Sequence, residues 1–290
     1  MKQAFIALHL SIFVAGFTGL FGRLITLDAG ALVWWRVFVA ALCFYIILQV
    51  SGKFRQYTIQ EMLQAALVGS VLCLHWVLFY GSIKASNVSV GVVCFSLIGF
   101  FTALIEPLLL KIRINYRELF YGCFAVAGIL LIFHFDSRFR LGIGLGIASS
   151  LVCAFAITLN KVVIPKFSYM PLLTFYEIAG GFVFLSILAP FYLYFTDTAV
   201  LIPDARNLFY IFILAVFCTI GLQLLQIYAL KRISAFTVNL SYNLEPVYTI
   251  ILAALIFREM SEVNASFFAG LGIIILSVLL QMRDVVRKGT

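Results

Sequence analysis

Apolar residues run along this chain in blocks of about twenty, separated by short polar joints. The blocks fall at 3–22, 30–50, 61–83, 88–110, 118–135, 141–164, 170–195, 207–230, 235–257 and 263–282. A helix crosses a bilayer with roughly 20 mostly apolar residues. The pattern therefore predicts ten membrane-spanning helices and leaves almost nothing for a soluble domain. Alternating ten-residue strands, the mark of a membrane β-barrel, are absent from the sequence. The expected fold class is an all-α polytopic membrane protein.

Composition agrees. Only 11% of the 290 residues are charged, 64% are hydrophobic and the mean hydropathy is +1.12, whereas soluble domains carry about 25% charged residues. The net charge of +8 raises nucleic acid as a partner, but the basic residues punctuate the joints instead of gathering on one face. That placement is expected when they set orientation in a bilayer. With the N-terminus in the cytoplasm, thirteen of the 20 Lys and Arg residues fall on the inner side and seven, Arg36 among them, on the outer. The expectation is N-in and C-in, with no nucleic acid. All six cysteines lie inside spans without metal or redox spacing and read as small apolar fillers. Residues 1–22 join Lys2 to an apolar run of spanning length with no evident small-x-small cleavage site, so a retained first helix is expected over a signal peptide.

The two halves of the chain match. "YGSIKASNVSVGVV" from Tyr80 aligns with "YALKRISAFTVNLS" from Tyr228 at an offset of 148, and Phe120 and Gly122 meet Phe268 and Gly270 at that offset. Upstream, "ALVWWRVFVAA" resembles "LLTFYEIAGGF", which sets Arg36 opposite Glu177 at an offset of 141. The longer joint 196–206 absorbs the difference. Two repeats are expected, 1–140 and 141–290, with five spans each, so the second inserts upside down relative to the first. Inverted repeats point to alternating access.

"NLEPVYTIILAALIFREMSEVNASFFAGLGIIILSVLL" resembles the C-terminal repeat of the EamA-like branch of the drug/metabolite transporter superfamily. The resemblance rests on Glu245-Pro246 in the ninth span, Glu259 after the apolar run and Gly270 in the tenth span. Arg36 and "LHWVLFYGSIKASNVSVG" (Leu74–Gly91) are similar to the first repeat of that branch. Where a counterpart of Glu259 would stand, the first repeat reads "LKIRINYREL" and has diverged. The resemblance implies ten helices, a central cavity and export of small metabolites such as amino acids.

Polar residues inside the spans supply the candidate chemistry, because a charge at mid-span costs about 2.5–3.5 kcal/mol on insertion scales. Glu245 lies about ten residues into its span, roughly 15 Å from either surface at 1.5 Å per residue, too deep for a short side chain to reach water. Pro246 has no N–H and leaves the Tyr242 carbonyl without its helical donor. The pair is either a substrate or proton site or a packing kink tied to another helix. Glu106-Pro107 repeats the dipeptide, but the offset maps Glu245 to Leu97, so Glu106 is expected near the cytoplasmic end, within reach of Lys111. His75 sits mid-span beside Trp76, Phe79 and Tyr80, and its repeat partner is Gln223, which suits the lining of a cavity. Ser96, Tyr242 and Asn243 flank the matching midplane positions and complete the expected substrate site. Arg36, expected to snorkel outward beside a Trp34-Trp35 belt, and Glu177 are assigned structural or gating roles. His9, His75 and His134 occupy different spans without paired carboxylates, so no metal is expected. "GIGLGIASS" follows no strand and reads as a close helix contact, not a phosphate loop.

The expected function is a secondary transporter exporting a small amphipathic metabolite across the inner membrane of a bacterium. It uses no cofactor and is driven by the substrate gradient or by proton exchange through Glu245 or His75; the sequence does not fix the oligomeric state, and a monomer is compatible with it. The alternative is a channel or lipid scramblase, which needs a continuous polar path or groove and is disfavoured by the scatter of the polar residues. An enzyme needs a nucleophile with its base, and none stands out.

Overall fold

The computed structural model describes residues 2–133, 139–196, 201–257 and a subset of 269–283. It is all helical, with no strand among the described residues. Helices α1 (Lys2–Leu24), α2 (Ala29–Val50), α3 (Ile59–Ala85), α4 (Val88–Phe95), α5 (Ile98–Leu110) and α6 (Tyr116–Phe133) make up the first part. Then come α7 (Arg140–Val163), α8 (Met170–Phe195), α9 (Ala205–Ala215), α10 (Leu222–Leu230), α11 (Ala235–Ser241) and α12 (Glu245–Phe257). Seven helical stretches among the described residues are long and apolar enough to cross a membrane; Val88–Leu110 and Ala205–Leu230 each count as one. The expected tenth span, 263–282, lies largely outside the described residues, as does Glu259.

Helix starts follow the polar joints. Asp28 caps α2 through the Ala31 N–H, Asn87 caps α4 through that of Val90, and Asp204 caps α9 through that of Asn207. Thr58 and Glu61 form a capping box at the head of α3, so the first-turn donors that the helix itself cannot satisfy are met. Large apolar side chains line the outside, as with Val183, Ile187, Phe191 and Tyr194 along one stripe of α8. That is the pattern for a helix whose outer solvent is hydrocarbon.

Inside, small residues let backbones meet. A Cβ built on Gly69 of α3 would come 1.7 Å from the Glu177 carbonyl oxygen on α8, and one on Gly180 would come 2.3 Å from Ala66 Cα. No side chain fits at this crossing, so van der Waals contact between backbones holds α3 to α8.

Two expected continuous spans are broken. The stretch 88–110 is interrupted at Ser96-Leu97, and 235–257 passes through a 3-10 turn at Tyr242–Leu244. Moved back by the repeat offset of 148, the second break falls on 94–96 and overlaps the first at Ser96. α4 packs on α12 and α5 on α11, so the two broken helices lie against each other. A third irregularity is a π-helical turn, Val216–Gly221, between α9 and α10.

Candidate substrate cavity

The breaks and the π turn surround one cavity. It is lined from α1 by Thr18, from α2 by Arg36, from α3 by His75, Trp76 and Phe79, and by Phe95 from the end of α4. Cys153 of α7, Cys218 of the π turn, Gln223 and Gln226 of α10, Tyr242 and Glu245 close it. Its free volume is about 60 Å³, room for a few waters and far short of the roughly 300 Å³ at which ligand clefts begin. As it stands the cavity holds nothing larger than a few waters.

Arg36 organises one wall. The guanidinium is 2% exposed and lies 4.1 Å from the centre of the Trp76 ring. Nε donates to Thr219 Oγ1 at 2.6 Å, one terminal nitrogen to the Tyr80 hydroxyl at 3.1 Å and the other to the Cys218 carbonyl at 2.8 Å. The π turn makes this docking work. Its altered ladder, in which Thr219 Oγ1 also bonds back to the Leu214 carbonyl at 3.0 Å, turns an oxygen pair toward α2. Single π turns are often found at functional sites. Of five guanidinium N–H groups, three are placed, which leaves one on each terminal nitrogen for a bidentate acceptor.

The expectation that Arg36 snorkels to the surface is therefore corrected. Trp34 and Trp35 bond Ser186 and the Leu201 carbonyl, while Arg36, one residue on, turns inward to two oxygens of the folded π turn and to Tyr80 of α3.

Glu245 lines the same cavity as Arg36 and is 3% exposed. The Tyr242 carbonyl is not free as expected. The chain tightens to a 3-10 turn, and the Glu245 N–H itself donates to that oxygen. Pro246 then falls in the first turn of α12, where its missing N–H costs nothing.

His75 Nδ1 lies 2.7 Å from Ser149 Oγ and 3.1 Å from the Ser149 carbonyl, and Ser149 Oγ donates to the His75 carbonyl. A carbonyl only accepts, so Nδ1 carries a hydrogen, and in the neutral ring Nε2 keeps its lone pair. The ring stacks on Phe95 with centroids 5.1 Å apart. Tyr242 bonds Ser11 of α1 at 3.1 Å.

The remaining expected residues are placed differently. Tyr80 stands behind the wall and holds Arg36. Ser96 is buried at the first break, outside the lining, with Oγ unpartnered. The side chain of Asn243 lies outside the described residues. Glu177 is fully buried beside the cavity and accepts a hydrogen bond from Gln223 Nε2. Glu106 is not paired with Lys111 at a surface. It is 6% exposed and accepts from the Ala235 and Phe236 N–H groups at 3.2 and 2.8 Å, so its charge meets the N-terminus of α11. Thr18, Ser149 and Thr219 were missed. Each is a small polar residue in an apolar helix, a signal shared with many that only back-bond to their own helix.

Among the described residues no group of three or more His, Cys, Asp or Glu side chains is placed to hold a metal ion. A family model described as the EamA-like transporter family matches residues 2–134 and again 140–283. A search of the curated proteins gives no match. A solved structure described only as "Crystal structure of protein" covers 96% of this chain and 96% of its own, with a TM-score of 0.70 at 13% sequence identity. At that identity the likeness speaks to the fold alone.

Proposed function

The chain belongs to the EamA-like transporter family, a membrane transporter of the drug/metabolite type, and from that premise we propose that it is a secondary carrier for a small zwitterionic metabolite of the amino acid class. The observation that carries the proposal is one small cavity lined by both a fixed cation, Arg36, and an acid, Glu245. The two unplaced N–H groups of Arg36 suit a substrate carboxylate. Glu245 suits the ammonium, and His75 Nε2 and Gln226 suit remaining donors. Trp76, Phe79, Phe95 and Tyr242 offer an apolar surface to the rest of the molecule.

In this reading ten spans form two inverted five-helix repeats, 1–140 and 141–290, with both termini in the cytoplasm of a bacterium whose inner membrane holds the protein. The repeats rock about the paired breaks at Ser96 and Tyr242–Leu244, exposing the cavity to one side and then the other. The outward direction follows the family resemblance. The carrier works as a monomer, has lipid and the metabolite as its partners and uses no cofactor.

Comparing intracellular and extracellular metabolite pools of cells with and without the protein identifies the substrate. The reading expects one or a few zwitterions to shift outward. An unchanged pool of every amine-and-carboxylate compound, with a shift confined to uncharged solutes, overturns the proposed role of Arg36 and Glu245.

A further inference from the structure

Beside the substrate cavity lies a second buried polar cluster. Glu177 of α8 is 0% exposed. Its Oε2 accepts from Gln223 Nε2, and the Asn160 side chain of α7 also reaches the carboxylate. Thr174 stands one helical turn before Glu177 on the same side of α8. Four oxygens here are buried without a hydrogen-bond partner: Glu177 Oε1, Gln223 Oε1, Asn160 Oδ1 and Thr174 Oγ1.

Three of the four are acceptors only, and the one hydrogen on the Thr174 hydroxyl can serve just one of them. Buried acceptors left unpartnered cost about 1–3 kcal/mol each, and more when charged. A buried carboxylate also needs a counter-charge. Neither neighbouring cation bonds Glu177. Arg36 on α2 is held by Thr219, Tyr80 and the Cys218 carbonyl. Lys161 on α7 donates to the Leu230 and Ile233 carbonyls. The other titratable groups on the elements around Glu177 are Cys73 and His75 on α3, Cys43 and Tyr45 on α2, Cys153 on α7 and Tyr176, Tyr192 and Tyr194 on α8, with Glu61 and Lys84 at the two ends of α3 and Tyr228 at the far end of α10. Among the described residues, none of the hydrogen-bond partners of Glu177 is a cation.

We infer that Glu177 is a proton-binding site, set apart from the substrate cavity and joined to it through Gln223. A proton taken up from water bonds to Oε1. That oxygen then becomes a donor to one of the acceptors around it, and one proton answers two unpartnered atoms and the charge together. Gln223 is the link, because it lines the cavity and holds Glu177. A substrate that draws on the Gln223 amide weakens its bond to Oε2, so the proton and the substrate sense each other. Release requires water at Oε1, which means separating α8 from α3 and α10. That separation is the movement alternating access demands, and this coupling rests on the carrier reading above.

The test is infrared difference spectroscopy of the full-length protein in liposomes between acidic and alkaline buffer. The expected result is a protonated-carboxyl band, still present at neutral pH, that loses one component in Glu177→Gln. If Glu177→Gln does not fold, Asn160→Ala is read instead, and its band shifts in frequency because a neighbour of the acid is gone. A spectrum identical to wild type in Glu177→Gln, or an unshifted band in Asn160→Ala, overturns the site. Replacing potassium by sodium at fixed pH leaves the band unchanged; its conversion to carboxylate by sodium overturns the proton in favour of a metal cation. For the coupling, liposomes are given an equimolar mixture of the twenty common amino acids under an imposed pH gradient. Wild type shows gradient-driven accumulation, and Glu177→Gln keeps exchange but loses that accumulation. Gradient-driven accumulation that survives in Glu177→Gln overturns the coupling. Absence of flux for any amino acid counts against the carrier's substrate class, while the infrared result decides the proton site by itself.

Discussion

The Arg36 wall gives the sharpest energetic prediction. Lysine at this position keeps the charge but replaces a planar fork with a point charge on a flexible stem. It cannot reach Thr219 Oγ1, the Tyr80 hydroxyl and the Cys218 carbonyl together, as Arg36 does at 2.6, 3.1 and 2.8 Å. Hydrogen bonds to charged groups contribute about 1.5–3 kcal/mol each. An Arg36→Lys variant that retains one of three therefore loses about 3–6 kcal/mol, with the stacking on Trp76 partly preserved. The assay is equilibrium unfolding in mixed micelles, followed by far-ultraviolet circular dichroism, for wild type, Arg36→Lys, Thr219→Val and the double variant. If Arg36 grips the π turn through Thr219, the cycle shows a coupling of about 1.5–3 kcal/mol. Effects that add within about 0.5 kcal/mol, or a single variant as stable as wild type, refute the docking of Arg36 on that turn.

Three further outcomes are expected. Glu106→Gln removes the charge facing the head of α11 and costs about 1 kcal/mol, read as faster hydrogen exchange at the Ala235 and Phe236 amides; unchanged exchange contradicts the capping role. Gly69→Ala puts a methyl where the Glu177 carbonyl already lies, so α3 and α8 cannot close, and the variant loses monodispersity in detergent while Gly144→Ala, with open space around it, does not. His75→Asn retains a donor for Ser149 and drops the Nε2 lone pair, so it folds as wild type but transports up to about tenfold less well, the worth of one neutral hydrogen bond; equal transport by His75→Asn and wild type removes His75 from the site.

The helices were legible because membrane spans announce themselves by length and hydropathy, and these stretches do so without interruption from Ala29 to Val50 or Met170 to Phe195. The repeat offset was equally informative, since it pairs Ser96 with the region of the second break. The break itself at Ser96-Leu97 was not legible. Neither residue bars a helix, and the interruption depends on neighbours such as Ser150, whose hydroxyl takes up the Cys94 carbonyl at 2.8 Å. Glu245 and His75 stood out because a polar group in hydrocarbon needs a reason. Arg36 stood out too but was sent to the wrong place, because snorkelling and burial produce the same sequence. What decides between them is a π turn some 180 residues away, and nothing in "AVFCTIGLQ" distinguishes it from an ordinary helix. Glu106 failed for a related reason. Its partners are backbone amides, which every sequence has.

The central claim is a carrier whose site is built on Arg36 and Glu245, and one measurement tests it most directly. Liposomes holding the purified protein are loaded with the zwitterion found by the pool comparison, and uptake of its labelled form is followed. The account predicts saturable counterflow that disappears in Glu245→Gln, a variant that still folds. Flux that rises linearly with concentration, or counterflow untouched in Glu245→Gln, contradicts it.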